Sequence, residues 1–438
     1  MALFDRSALN DGVRPREVFA WAMYDFANSG YTTVVLTAVF NAYFVGVVAG
    51  NADWATLLWT AALSFSSLLI MLSATAIGAW ADAHGTKKRL LAISTLACVL
   101  STAGLALTGA GTLMLAVVLV IVSNYFFSLG ETLNAAFLPE IARGDALGKV
   151  SGWGWSFGYF GGMLTLGLSL AWVMRAQAGG QTASQFVPVT MLITAVVFAL
   201  ASLPMFMFLG ERSADRGGRQ RLARMLVGSL GGLRRSWREL EQFTDFRRLL
   251  WCAVCYQAGI SVVIALAAIY AEQVMGFAQA ETMLLIFLVN IAAALGAFAF
   301  GYVQDRLGHR RALALTLWGW LIMIALAGLG QSRPSFWAAA TMAGLCMGSS
   351  QSAGRAMAGL FAPRQRLAEF YGLWAFATRL AAVIGPISYG IVTWLSSGNH
   401  RLAILSTGLF FIAGLFLLRA IDPARGRQVA MDASPASP

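Results

Sequence analysis

Four charged side chains fall well inside long apolar runs: Asp25, Glu131, Arg355 and Arg379. A charge at bilayer depth costs about 3 kcal/mol or more unless it is paired or wetted, so each is a candidate functional group. Asp25 lies 7 residues from the inner end of the first predicted span, Glu131 lies 7 from that of the fourth, and Arg355 lies 6 from that of the tenth. At 1.5 Å per residue the three share a depth of roughly 10 Å. Proton coupling needs a carboxyl whose pKa moves as its surroundings dry or its partner leaves. Glu131 is the first candidate, since no base lies within one helical turn of it in the sequence; a fixed ion pair is the competing reading. Asp25 is the second, although Tyr24 beside it and Asn28 at i+3 lean toward a structural network near the helix end. The planar fork of Arg355 suits both oxygens of a substrate carboxylate, and equally an interhelical bond that holds an inner gate. Tyr24, Asn28, Asn134 and Gln257 are neutral candidates for substrate hydrogen bonds, with Asn124, Tyr125, Tyr256 and Ser261 nearby in their spans. Each alone reads more simply as interhelical glue.

The elements that must position these groups follow from composition. The chain has 438 residues, 58% hydrophobic and only 12% charged, with mean hydropathy +0.69. Too few charged groups remain to cover the surface of a soluble domain of that size. Apolar continuity predicts spans at 18–48, 54–81, 89–109, 112–138, 150–174 and 186–209, then 247–271, 281–304, 311–330, 335–361, 368–396 and 401–419. Domains are therefore expected at 1–210, 211–246 and 247–438: a six-helix bundle, a cytoplasmic linker, and a second six-helix bundle with a short tail. With the N-terminus inside and the spans alternating, 26 Lys and Arg fall on the inner side and only Arg175, Arg333 and Arg401 on the outer. That bias places both termini in the cytoplasm, and it explains the net charge of +11 without nucleic acid. No short core followed by a small-residue cleavage site marks a secretory signal. In the linker, Leu222, Met225, Leu226, Leu230, Leu233, Trp237 and Leu240 recur at helical spacing among arginines, which predicts an amphipathic helix on the inner interface.

One short string occurs twice. Gly78-Ala-Trp-Ala-Asp82-Ala-His-Gly85-Thr-Lys87-Lys88-Arg89 follows the second span, and Gly301-Tyr-Val-Gln-Asp305-Arg-Leu-Gly308-His-Arg310-Arg311 follows the eighth. Gly, Asp, Gly and two bases match in both copies. An Asp at a helix end accepts bonds from the N–H groups that open a neighbouring helix, whose dipole favours the charge. Glycines keep such a turn tight and allow close helix approach. Gly78, Asp82, Gly85 and Lys88, with Gly301, Asp305, Gly308 and Arg310, are accordingly expected to form two gating turns that latch and release.

These turns resemble the signature of the major facilitator superfamily between its helices 2 and 3 and again between 8 and 9. Ala83 departs from the pattern where a base is common, which implies a weaker first latch. A closer resemblance runs along most of the chain. Trp21-Ala-Met-Tyr24-Asp25-Phe-Ala-Asn28-Ser29 resembles the opening of the vacuolar amino-acid effluxer family and its bacterial relatives. Phe137-Leu-Pro139-Glu140, Ser151-Gly-Trp-Gly154 and Gly158-Tyr-Phe-Gly161-Gly162 resemble that family's passage from helix 4 to 5. Gly348-Ser-Ser-Gln351 with Arg355 and Pro363, Ala368-Glu369-Phe370-Tyr371-Gly372, and Gly385-Pro386 are similar to its passage from helix 10 to 11. The resemblance implies an all-α membrane protein of twelve transmembrane helices in two pseudo-symmetric six-helix bundles, working by alternating access with helices 1, 4, 7 and 10 around the cavity. It also implies Gln351 as a further substrate-binding candidate and a gate or packing role for Arg379 on peripheral helix 11.

The expected function is secondary active transport, proton-coupled, of a small polar or zwitterionic solute, with an amino acid implied by the resemblance. An exporter of amphiphilic drugs or lipids is the alternative, since 28 Phe and 14 Trp would suit one; a non-transporting receptor is more distant. Protons and membrane lipids are the other expected partners, and the expected unit is a monomer in a bacterial inner membrane. Enzyme chemistry is not expected. Cys98, Cys252, Cys255 and Cys346 sit in apolar runs, and His84, His309 and His400 sit in turns or loops. They offer no metal spacing and no nucleophile–base set, and no Walker-type motif is present. No catalytic residue, metal or cofactor is expected.

Overall fold

The computed structural model describes residues 4–212, 237–277, 279–330, 332–397 and 399–433. Twelve long helices carry the chain: α1 (Pro15–Tyr31), α2 (Ala55–His84), α3 (Lys87–Gly104), α4 (Leu113–Ala135), α5 (Leu147–Ala178), α6 (Ala183–Phe208), α7 (Thr244–Gln273), α8 (Gln279–Leu307), α9 (His309–Leu329), α10 (Arg333–Leu360), α11 (Leu367–Leu395) and α12 (His400–Arg419). Each falls on a span expected from apolar continuity, with ends shifted by about one helical turn except at the end of α1. Beyond Tyr31 the first span continues as wider turns to Val48, where Val39 and Ala49 each donate their N–H five residues back. Among the described residues, eleven helices are long and apolar enough to cross a membrane. The twelfth, α10, falls short because glycine, serine and Arg355 fill its second half, the half that meets the opposite bundle.

Helix packing repeats with a period of six. In the first half α1 packs on α5 and α6, α2 on α4, and α3 on α4 and α6; in the second, α7 packs on α11 and α12, α8 on α10, and α9 on α10 and α12. Contacts between the halves obey the same rule, α2 against α11 and α8 against α5, with α4 against α11 and α10 against α5. The fold is thus two six-helix bundles related by pseudo-symmetry. Its surface is apolar: Leu57, Leu96, Leu100, Met114, Leu200, Leu409 and Phe416 project outward, as lipid-facing positions do. Polar groups turn inward, among them Asn28, Asn124, Asn134, Gln257 and Gln304.

The first and last described stretches pack against the bundles. Phe4 is buried against Trp153. The polar C-terminal stretch forms a further helix, α13 (Pro423–Asp432), capped by Asp422 and held by Arg425, which donates to both Asp245 carboxylate oxygens at 2.7 Å. Most of the expected amphipathic linker helix lies outside the described residues. Its end is described: Trp237 packs against Trp251 and Phe376.

Candidate functional site between the bundles

Three layers of polar contact join the two bundles. The outermost is formed by the repeated turns. Gly85 ends α2 at φ +59°, and Gly308 precedes α9 at φ +86°; both lie in the left-handed region, where a side chain is strained. Asp82 accepts the N–H of Glu369, third residue of α11, at 3.0 Å. Asp305 accepts the N–H groups of Gly148 and Lys149, which open α5, at 3.0 and 2.9 Å. Each carboxylate therefore caps a helix of the opposite bundle, where the macrodipole favours negative charge. Gly78 lies against the carbonyl of Ala368 and Gly301 against that of Gly148, so closely that a Cβ at either would collide with backbone. On this face the bundles are shut.

The bases of the turns divide the work differently from expectation. Lys87, fully buried, reaches Asp82 at 3.7 Å and forms an ion pair with Glu140. Lys88 instead donates to the carbonyl of Leu209 at 2.5 Å, and its N–H to Glu211. Arg310 donates to the carbonyl of Ile421, not to Asp305. The first turn, expected to be the weaker, has the buried lysine that the second lacks. Beside it, Arg366 joins Glu239 of the linker end to Glu369 at 2.7 and 2.8 Å; the hydrogen bond to Glu369 raises the guanidinium's pKa above its ordinary value.

Deeper in, Arg355 of α10 meets Asp25 of α1 at 2.6 Å. The shared depth read from the sequence brings these two together. Every part of the guanidinium is engaged: Nη1 donates to Asp25, Nε to the Ser151 hydroxyl at 3.1 Å, and Nη2 to the Ser151 carbonyl at 2.8 Å. The indoles of Trp21 and Trp155 lie 4.8 and 5.3 Å from Cζ, adding cation–π attraction to a dry pair. Asn134 donates to the other Asp25 oxygen at 2.9 Å, and Trp21 donates to the Asn134 carbonyl. Gly154 leaves the room for this pair, since a Cβ there would strike both partners. All three guanidinium nitrogens are engaged in this conformation, and the pair forms the interhelical bond of the two readings.

One turn farther along α4 from Asn134, Glu131 pairs with Arg379 of α11 at 3.2 Å. The sequence offered Glu131 no base within a turn, and tertiary packing supplies one from the opposite bundle. It also brings Arg379 into the interface, beyond the peripheral role implied by its helix. This pair differs from the deeper one in access: its side chains are 41% (Glu131) and 22% (Arg379) exposed, against 12% for Asp25 and 8% for Arg355.

The neutral candidates separate. Gln257 donates to Gln351 at 2.8 Å, linking α7 to α10 one turn from Arg355. Tyr24 turns away into its own bundle and pairs with Thr95 at 3.0 Å. Asn28 is buried, and its side-chain oxygen has no hydrogen-bond partner among the described residues. Trp21, Ser151, Trp155, Lys87 and Glu140 were not among the expected site residues. Trp21, Ser151 and Glu140 stand in the strings that carry the family resemblance, and this was the available signal for them. Among the described residues no group of His, Cys, Asp and Glu could hold a metal ion.

Comparison with known proteins agrees with this geometry. The family model described as "Vacuole effluxer Atg22 like" matches residues 42–431. An uncharacterised MFS-type transporter, YxiO of Bacillus subtilis, is 24% identical over 419 residues, covering 94% of this chain and 96% of that protein. Autophagy-related protein 22-1 of Penicillium rubens is 23% identical over 314 residues, 65% of this chain and 50% of the fungal one; the chain spans half the length of that relative. Among solved structures, the human organic anion transporter MFSD10 superposes with TM-score 0.73 at 16% identity, covering 92% of this chain and 99% of its own. FucP in its outward conformation does so with TM-score 0.72 at 14% identity, covering 93% and 98%. These two speak for the fold alone. Fold, repeated turns and family match converge: the chain belongs to the Atg22-like vacuole effluxer family, within the major facilitator superfamily of membrane transporters.

Proposed function

We propose that this transporter is a proton-coupled secondary carrier of a small zwitterionic solute, an amino acid in the first instance, working as a monomer in a bacterial inner membrane with its turn-bearing face in the cytoplasm. One observation carries the reading: of two ion pairs that cross the bundle interface, one is sealed behind a shut face and the other is open. Alternating access needs this asymmetry. The turns and the Asp25–Arg355 pair act as the inner gate, and the conformation described is outward-facing. Glu131 is the coupling carboxyl, which takes up a proton when Arg379 leaves it. The family's description as a vacuole effluxer supports solute transport, and the sequence resemblance to the amino-acid effluxers implies an amino-acid cargo.

The test is transport by purified protein in proteoliposomes. We expect amino-acid counterflow, and uptake driven by an imposed pH gradient in the wild type but not in Glu131→Gln. Gradient-driven uptake that survives in Glu131→Gln would remove Glu131 from coupling. Counterflow confined to amphiphilic cations or lipids would replace the zwitterion reading with amphiphile export.

A further inference from the structure

Resting on the zwitterion reading above, we infer that the Glu131–Arg379 pair is itself the substrate site: the solute's carboxylate takes Arg379, its ammonium takes Glu131, and the incoming zwitterion replaces the bond between the two side chains.

The argument is one of unused bonding capacity. A guanidinium has five donors in a planar fork that matches a carboxylate. Arg355 has spent its fork on Asp25 and both oxygens of Ser151, between two indoles. Arg379 makes a single hydrogen bond among the described residues, from Nη2 to Glu131 Oε2 at 3.2 Å. Among the described residues Glu131 accepts only that one bond, although a carboxylate has room for about four. Both side chains are partly open to solvent, and they stand on opposite bundles. A pair this loose and this accessible is readily opened by a ligand that offers each partner a charge-assisted bond. Its two poles lie on one molecule only in a zwitterion. A ligand with one pole would leave the other side chain without its counter-charge, which is costly in a partly dry site.

The location fits the transport cycle. Glu131 lies three residues along α4 from Asn134, which donates to Asp25, so the open pair sits about 4.5 Å along the axis from the sealed one. A zwitterion bridging Glu131 and Arg379 would keep the two bundles linked through the ligand while the two side chains part. While its ammonium occupies Glu131, the proton is displaced.

Binding to the purified full-length protein tests this by thermal shift and by intrinsic tryptophan fluorescence. The probes are leucine, its decarboxylated amine and its deaminated acid. The wild type should bind leucine more tightly than either one-pole probe. Arg379→Gln should weaken leucine about tenfold or more without weakening the amine, and Glu131→Gln should do the same without weakening the acid. Each single variant strands one charge, so the double variant Glu131→Gln/Arg379→Gln is the folding control. It should unfold at a temperature close to the wild type and yet lose leucine. Wild-type binding of leucine that persists in the folded double variant overturns the pair assignment alone. A wild type that binds no amino acid overturns both this assignment and the zwitterion reading.

Discussion

Lys87 illustrates how one buried side chain ties a signature turn to its surroundings. It is fully buried between Asp82 and Glu140, so its removal would leave two buried carboxylates without their shared counter-charge. Breaking a buried ionic group by deleting one member costs about 3–5 kcal/mol, because the charge left behind loses its counter-ion. Lys87→Ala is therefore expected to lower stability by about that amount, read as a fall in the unfolding temperature of the detergent-solubilised protein. Lys88→Ala should cost far less, since its side chain donates to a backbone carbonyl and the bond to Glu211 comes from the backbone N–H, which alanine keeps. Equal losses in the two variants would refute the assignment of Lys87 as the turn's buried base. From the sequence the two adjacent lysines were indistinguishable. Only the direction of each side chain, set by the start of α3, separates them.

At the scale of helices, the proposed inner gate rests on two close approaches, α2 to α11 and α8 to α5. Both are made where a glycine of one helix meets a carbonyl of the other. A valine at Gly78 faces the opposite bundle, so the expected result is a folded protein whose shut face cannot close. Spin labels on the turn-face ends of α2 and α11 should report a longer mean distance in Gly78→Val than in the wild type. An unchanged distance distribution would mean that the close approach is not needed for closure. The same helices show what the pattern of apolar runs could and could not supply. It located all twelve, including α10, whose glycines, serines and arginine make it too polar to stand out by hydropathy. It missed α13, because a ten-residue polar helix docked by one cap and one Asp–Arg pair leaves no apolar period to read.

Across the whole molecule, the distribution of charge and the pairing of helices make separate statements. The bias of 26 bases to 3 predicts that both termini and both signature turns share the cytoplasmic side. Fluorescent-protein fusions at either terminus should be bright and phosphatase fusions inactive. The opposite pattern at both ends would invert the direction assigned to the open side of the pair.

The sequence by itself determined the number, order and approximate limits of the helices, the duplication, and which four charges lie within the membrane. These follow from local properties: apolar run length, a repeated string, and the cost of charge in a bilayer. It also placed Asp25 and Arg355 at one depth, since depth is counted along a helix. Tertiary structure alone decided which charges meet and which of them stay open. Arg379 reaches Glu131 across 248 residues, and Arg355 is saturated by Ser151 and two indoles on other helices. Such pairings depend on the rotation of each helix about its own axis and on which bundle faces are pressed together. Neither is encoded in any single span; both emerge only when all twelve have packed.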